Sequence, residues 1–85
     1  MVKIDGFDKA VIGLTHIRSV ENPVIVYDAK KIIDILMKHD EMSYEEAIKY
    51  FEFKMQGTYV GGQDPLFVFL ADLKTIEQLS EAIDG

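Results

Sequence analysis

An apolar run that leads straight into an amphipathic helix restricts the fold of this chain more than any other feature of its sequence. Val24–Tyr27 has the continuous apolar, largely β-branched character of a buried strand. Asp28 follows at the position of an N-cap, where a carboxylate can accept from the first free N–H groups of a helix. The 3.6-residue period of the apolar residues then predicts a helix to about Lys38. We therefore predict a strand that passes directly into a helix.

Further apolar runs extend this unit to the order ββααβα. Ala10–Ile17 is rich in β-forming residues and predicts an earlier strand, in which Gly13 favours a bulge or a close backbone approach. Leu66–Leu70 predicts a third strand. One three-stranded sheet with helices packed on one face gives this order a single core, so the predicted fold class is α+β.

Capping signatures mark the second and third helices. Ser43 and Glu46 have the spacing of a capping box, in which each side chain bonds the backbone N–H of the other residue. This second helix is predicted to end at Gly57, and five apolar residues form its inner stripe: Tyr44, Ala47, Ile48, Phe51 and Met55. Thr75 and Gln78 offer a similar pair in the last helix. Its core-facing residues are predicted to be Leu73, Ile76, Leu79 and Ile83.

Length, charge and cysteine content limit the functions open to the chain. Its 85 residues suffice for one domain, 1–85, in which 1–8 form an N-terminal segment. The absence of cysteine excludes disulfides, thiolate metal sites and Cys-based catalysis. A net charge of −6 disfavours direct contact with nucleic acid. Since no apolar run reaches the roughly 20 residues that span a bilayer, we expect a cytoplasmic protein without membrane attachment.

Aromatic residues lie on both sides of the second helix. At about 100° per residue, Phe51 falls on the inner stripe, whereas Tyr50 and Phe53 point the opposite way. One interpretation is that this outer pair packs beneath the loop Thr58–Asp64 as a small satellite cluster. The other is a partner or homo-oligomer interface anchored by Tyr50, Phe53 and Tyr59, because aromatic residues are enriched at binding hot spots.

The glycine-containing loop 57–65 offers a second candidate site. Adjacent Gly61 and Gly62 would let backbone N–H groups approach a ligand, with Tyr27 and Asp28 as further binding residues. The alternative is a plain turn that needs positive φ. The loop lacks the Gly-Lys-Ser/Thr ending of a phosphate-binding loop.

No catalytic constellation is visible in the sequence. His16 and His39 are the two histidines and lie on different predicted elements, so we predict no metal site and no cofactor. Ser43 is used as a helix cap, and no Gly-x-Ser-x-Gly elbow occurs. We therefore expect a protein that is not an enzyme.

Six segments of this chain resemble, in order and spacing, a set of short uncharacterised proteins from bacteriophages and bacteria. These segments are Asp5–Gly13, Val26–Asp28, Asp40–Ala47, Tyr50–Phe53, Gly57–Gly61 and Asp64–Val68. Lys54 departs from the pattern, since an Asn often follows the Phe-Glu-Phe stretch in the similar proteins. The helix over 72–85 lies outside the resemblance and is interpreted as an elaboration. The resemblance implies a phage-type accessory protein and transfers no catalytic residue.

These observations lead to two functional hypotheses. The first is a non-enzymatic binding module of a phage or mobile element that occupies a host protein, such as one of host defence or nucleic-acid handling. Its acidic surface would steer it toward a basic partner site. The second is an oligomeric protein that binds or sequesters a small, nucleotide-like ligand, using Tyr27, Asp28 and the Gly61-Gly62 loop.

Overall fold

A computed structural model describes residues 2–16, 22–59 and 63–84 of the chain, with side chains described as far as residue 80. A 3-10 turn at Asp8–Ala10 precedes the first strand. The strands are β1 (Val11–Thr15), β2 (Val24–Asp28) and β3 (Leu66–Val68), and the helices are α1 (Ala29–His39), α2 (Tyr44–Tyr50) and α3 (Leu73–Asp84). Helix α2 continues into a π-helical segment, Phe51–Gln56, called here the π-turn. The predicted ββααβα order and α+β class are confirmed.

The three strands form one mixed sheet in the order β1-β2-β3. Strand β1 pairs with β2 antiparallel, and β2 pairs with β3 parallel. The register of β1 shifts between Val11 and Gly13, as in a β-bulge or a similar irregularity, which agrees with the first of the two alternatives for Gly13. The second alternative, a close backbone approach, is wrong, because no atom lies within 4 Å of the Cβ position of Gly13. The third strand is shorter than predicted, since it ends at Val68 and not at Leu70.

The junction between β2 and α1 is capped by Asp28, as predicted. Its carboxylate accepts from the backbone N–H groups of Lys30 at 3.0 Å and Lys31 at 3.4 Å. Two donors that the first turn of a helix leaves without partners are thereby satisfied. Lys38 and His39 close the last turn, where positive charge suits the helix dipole.

Helix α2 begins with the predicted capping box. The N–H of Ser43 donates to Glu46 Oε1 at 3.1 Å, and the N–H of Glu46 donates to Ser43 Oγ at 3.2 Å. The hydrogen bond from the Ser43 backbone N–H lowers the pKa of the Glu46 carboxyl from its ordinary value, and the Ser43 side chain lowers it further by a smaller amount. The local sequence therefore fixes where this helix starts.

One hydrophobic core lies between the sheet, α1 and the segment formed by α2 and the π-turn. Its buried residues are Ile4, Ala10, Tyr27, Ala29, Ile32, Ile33, Leu36, Ala47, Phe51 and Met55. Phe67 of β3 packs against this core, with its ring centroid 5.2 Å from that of Phe51 in an edge-to-face arrangement. The backbone N–H of Ile4 donates to the Tyr27 hydroxyl at 2.9 Å, which ties the N-terminal segment to the sheet.

Position 57, which follows the π-turn, requires glycine for a steric reason. The N–H of Gly57 donates to the carbonyl of Glu52 at 3.2 Å, the i to i−5 bond that defines a π-helix. Gly57 has a right-handed φ of −69°, so it is not the left-handed cap that glycine usually provides. A Cβ on Gly57 would lie 2.7 Å from the carbonyl oxygen of Phe53, and glycine avoids this contact.

Helix α3 contradicts the prediction that its apolar residues enter the core. Leu73, Ile76 and Leu79 are each more than half exposed, and the side chain of Ile83 lies outside the described part. The predicted capping residue was also wrong, because the Asp72 carboxylate accepts from the N–H of Thr75 at 2.8 Å. This bond lowers the pKa of Asp72. The 3.6-residue period correctly predicted the helix. The local sequence does not specify which surface packs against the apolar stripe of that helix.

Candidate partner-binding surface

The segment formed by α2 and the π-turn directs its aromatic side chains to two sides. Ala47, Phe51 and Met55 follow at intervals of four residues and are buried, Phe51 to 1% exposure. Between them, Tyr50 is 40% exposed and Phe53 is 75% exposed. Tyr50 and Phe53 are called here the aromatic surface. Tyr44, predicted to lie on the inner stripe, is instead exposed at the start of α2.

The exposure of Phe53 contradicts, for this ring, the interpretation that the outer aromatic pair is packed beneath the following loop, whereas Tyr50 lines a depression with Thr58 and Tyr59 of that loop. A ring with three quarters of its surface in solvent is not part of a satellite cluster. Residues 60–62 of that loop lie outside the described part of the structure. The π-turn itself is notable because such turns occur frequently at functional sites.

The third predicted anchor, Tyr59, lies apart from Phe53. It is half-buried, packs against the core and has its ring centroid 6.4 Å from that of Phe67. Tyr50 and Tyr59 both line a shallow depression of about 370 Å³ beside the N-terminal segment, whereas Phe53 does not. The structure thus brings Tyr50 and Tyr59 together and leaves Phe53 as a separate projecting ring one turn from Tyr50.

Of the four residues of the predicted ligand site, the structure describes Tyr27 and Asp28. Tyr27 is fully buried, and its hydroxyl accepts the bond from Ile4, so its ring is not available to a ligand at the surface. The Asp28 carboxylate is used in capping α1. Gly61 and Gly62 lie outside the described residues. Both described residues therefore satisfy backbone groups of their own chain.

A second apolar surface was missed by the sequence interpretation. Five large side chains, each more than half exposed, follow one another after β3, and they are called here the C-terminal strip: Phe69, Leu70, Leu73, Ile76 and Leu79. The helical spacing of Leu73, Ile76 and Leu79 was visible in the sequence, whereas Phe69 and Leu70 were predicted to belong to the third strand. The small size of the sheet is a further signal that α3 does not pack on the core. Two helices already cover one face of a three-stranded sheet and leave little room for a third.

The C-terminal strip begins beside a depression of about 260 Å³, called here the α1 groove. The groove is lined mainly by apolar surface, and its lining residues are Asp28, Lys30, Ile33, Asp34, Tyr44, Phe69 and Leu70. The side chains of Lys30 and Tyr44 are exposed at this place. A groove of this composition can accept an apolar side chain from another molecule.

Neither a metal cluster nor a membrane-spanning helix is found in the parts of the chain that the structure describes. No three His, Asp or Glu side chains converge there as a cation site would require. None of the described helices combines the length and apolar character needed to cross a bilayer. Comparison of the chain with protein families, curated proteins and solved structures gives no match.

Proposed function

We propose that this protein is a non-enzymatic binding module that occupies a protein partner through its aromatic surface. The observation that carries the proposal is the contrast between Phe53, which is 75% exposed, and Phe51, which is 1% exposed, two residues away in the same turn. A folded chain that needed only to complete its core would gain nothing from a phenylalanine at position 53. Large exposed apolar groups mark interaction sites.

Aromatic side chains suit this role for physical reasons. Each ring buries a large area while few rotatable bonds become fixed, and such residues dominate the binding energy of interfaces. Tyr50 adds a hydroxyl that can hydrogen-bond at the edge of an interface. Lys49, Glu52 and Lys54 are exposed around the rings and provide the polar rim that protein interfaces usually have.

The net charge of the whole chain, and not the local rim of Lys49, Glu52 and Lys54, supports a basic partner site. With a net charge of −6, the protein is attracted to positively charged surfaces and repelled by phosphate backbones. The binding face of a nucleic-acid-handling protein has this positive character. The resemblance to short bacteriophage and bacterial proteins supports the proposal that the partner is a host protein, with host-defence proteins among the candidates.

Affinity capture with matched variants tests this proposal. Immobilised wild-type protein is incubated with bacterial lysate, and bound proteins are quantified by mass spectrometry beside a Tyr50→Ala/Phe53→Ala double variant. Ile12→Ala is the control, because Ile12 is an apolar residue of β1 with the same 40% exposure as Tyr50. We expect one partner to be lost from the double variant, retained by the control and weakened by added salt.

The captured partner is then purified, and its affinity is measured by calorimetry. Loss of an interface hot spot costs about 2 kcal/mol or more, so we expect the double variant to bind at least roughly thirtyfold more weakly. Equal affinity of the double variant and the wild type would show that the aromatic surface does not bind the partner.

A further inference from the structure

Helix α3 lacks the packing that normally stabilises a helix of its length. It comprises 12 residues and makes no extended contact with another described element. Isolated helices this short are marginal in water, and most helical stability in proteins comes from packing of an apolar face. The apolar face of α3 belongs to the C-terminal strip and is open to solvent. Packing another surface against this face would therefore stabilise the helix.

The exposed area of the chain matches what a stable dimer buries. The accessible surface is 6396 Å², against roughly 5,100 Å² for a compact monomer of 9.7 kDa, an excess of about 1,300 Å². The radius of gyration is 14.2 Å, whereas a compact chain of 85 residues has about 12 Å. Permanent dimers bury about 1,000 Å² or more on each subunit. The excess is a total for the whole chain, and its size is comparable to one side of such an interface.

Charge complementarity indicates where α3 of one copy can bind on another. The α3 sequence and its cap carry four acids and one base: Asp72, Lys74, Glu77, Glu81 and Asp84. Three exposed lysines and one exposed aspartate lie on α1: Lys30, Lys31, Lys38 and Asp34. Over their full lengths, the acidic helix α3 and the basic helix α1 therefore attract each other, whereas two α3 helices repel. The groove itself is lined by Lys30 and by two carboxylates, of which Asp28 accepts from the first N–H groups of α1 and Asp34 is exposed.

We propose that α3 of one copy docks in the α1 groove of a second copy, and that the second copy returns the same contact. Leu73 and Ile76 would enter the apolar groove, while Glu77 would lie beside Lys30 at its border. The contact is reciprocal, so it closes as a two-fold dimer and leaves no open end. It does not use the aromatic surface, and it is therefore independent of the function proposed above.

Sedimentation equilibrium of the full chain tests the dimer. We expect the wild type to be dimeric at micromolar concentration and Leu73→Ser/Ile76→Ser to dissociate with a Kd raised roughly tenfold or more, because two apolar anchors are lost from each contact. Both side chains are exposed, so the variant retains its fold, which circular dichroism verifies. Ile12→Ser is the control and should remain dimeric. A wild type that is monomeric at every concentration overturns the proposal.

Charge exchange tests the docking site. Lys30→Glu and Glu77→Lys each place like charges together in both contacts, so each variant alone should dimerise more weakly than the wild type. An equimolar mixture pairs opposite charges in both contacts, and the mixed dimer should regain wild-type affinity. Native mass spectrometry distinguishes the mixed dimer when one variant is labelled with ¹⁵N.

Three outcomes contradict the docking of α3 on α1. Stronger association of Glu77→Lys alone would show that two α3 helices pair with each other. Failure of the mixture to regain affinity would show that Lys30 and Glu77 do not meet across the contact. Dissociation of the dimer by Tyr50→Ala/Phe53→Ala would place the interface on the aromatic surface instead.

Discussion

At the scale of single residues, polar side chains in this protein largely satisfy backbone groups. Tyr27 and Asp28 stand together in the sequence and looked suitable for a ligand, yet each binds the chain's own N–H groups. Burying a backbone N–H without a partner is costly, so a buried hydroxyl or carboxylate beside one is used there. The sequence could not reveal the contact between Tyr27 and Ile4, because 23 residues separate them.

Tyr27→Phe tests the structural role of this hydroxyl. The variant keeps the ring but leaves the buried N–H of Ile4 without its acceptor, so we expect a loss of about 1–3 kcal/mol in the free energy of unfolding. Tyr44→Phe is the control, since its hydroxyl lies on an exposed side chain, and should stay within about 0.5 kcal/mol of the wild type. Urea unfolding at matched protein concentration measures both. Equal stabilities for Tyr27→Phe and the wild type would argue against the bond.

At the scale of elements, features that depend on residues close together in the sequence were predicted correctly, and features that depend on distant residues were not. The Asp28 cap and the Ser43–Glu46 capping box involve residues at most three positions apart, so the sequence specified them correctly. The register shift in β1 was likewise marked by Gly13. The π-turn was not predicted, because its identity depends on a wider hydrogen-bond ring that no composition rule signals. The cover of α3 could not be predicted, since periodicity defines a face without identifying what it packs against.

Gly57→Ala tests the steric account of the π-turn. The added methyl group would meet the Phe53 carbonyl oxygen at 2.7 Å, and we expect a loss of about 1–3 kcal/mol in unfolding free energy. Faster hydrogen exchange at the amide of residue 57 should accompany this loss, because its bond to Glu52 is strained. Gly13→Ala is the control, as no atom lies within 4 Å of its Cβ position. If both alanine variants behave alike, the close approach is not what requires glycine.

At the scale of the whole molecule, one core is complete, and the aromatic surface and the C-terminal strip are two of the apolar surfaces that the described residues leave outside it. The sheet, α1 and the segment of α2 and the π-turn bury a single cluster that includes Tyr27 and Phe51. The aromatic surface and most of the C-terminal strip lie outside that cluster, although the Phe69 ring at the start of the strip contacts Phe51 edge-to-face with 5.9 Å between the ring centroids. The sequence predicted the first of these surfaces from the helical position of its rings. It also predicted the apolar stripe of α3 that belongs to the second surface, but assigned that stripe to the core, because an amphipathic helix in a small domain usually packs on its own core.

The central claim is that the rings at positions 51 and 53 serve different purposes, one inside the fold and one beyond it. Urea unfolding of Phe51→Ala and Phe53→Ala at matched concentration measures this most directly. We predict a loss of about 3–5 kcal/mol for Phe51→Ala, because a buried ring leaves a cavity, and a change within about 0.5 kcal/mol for Phe53→Ala. Comparable losses in the two variants would place Phe53 in the core and contradict the account.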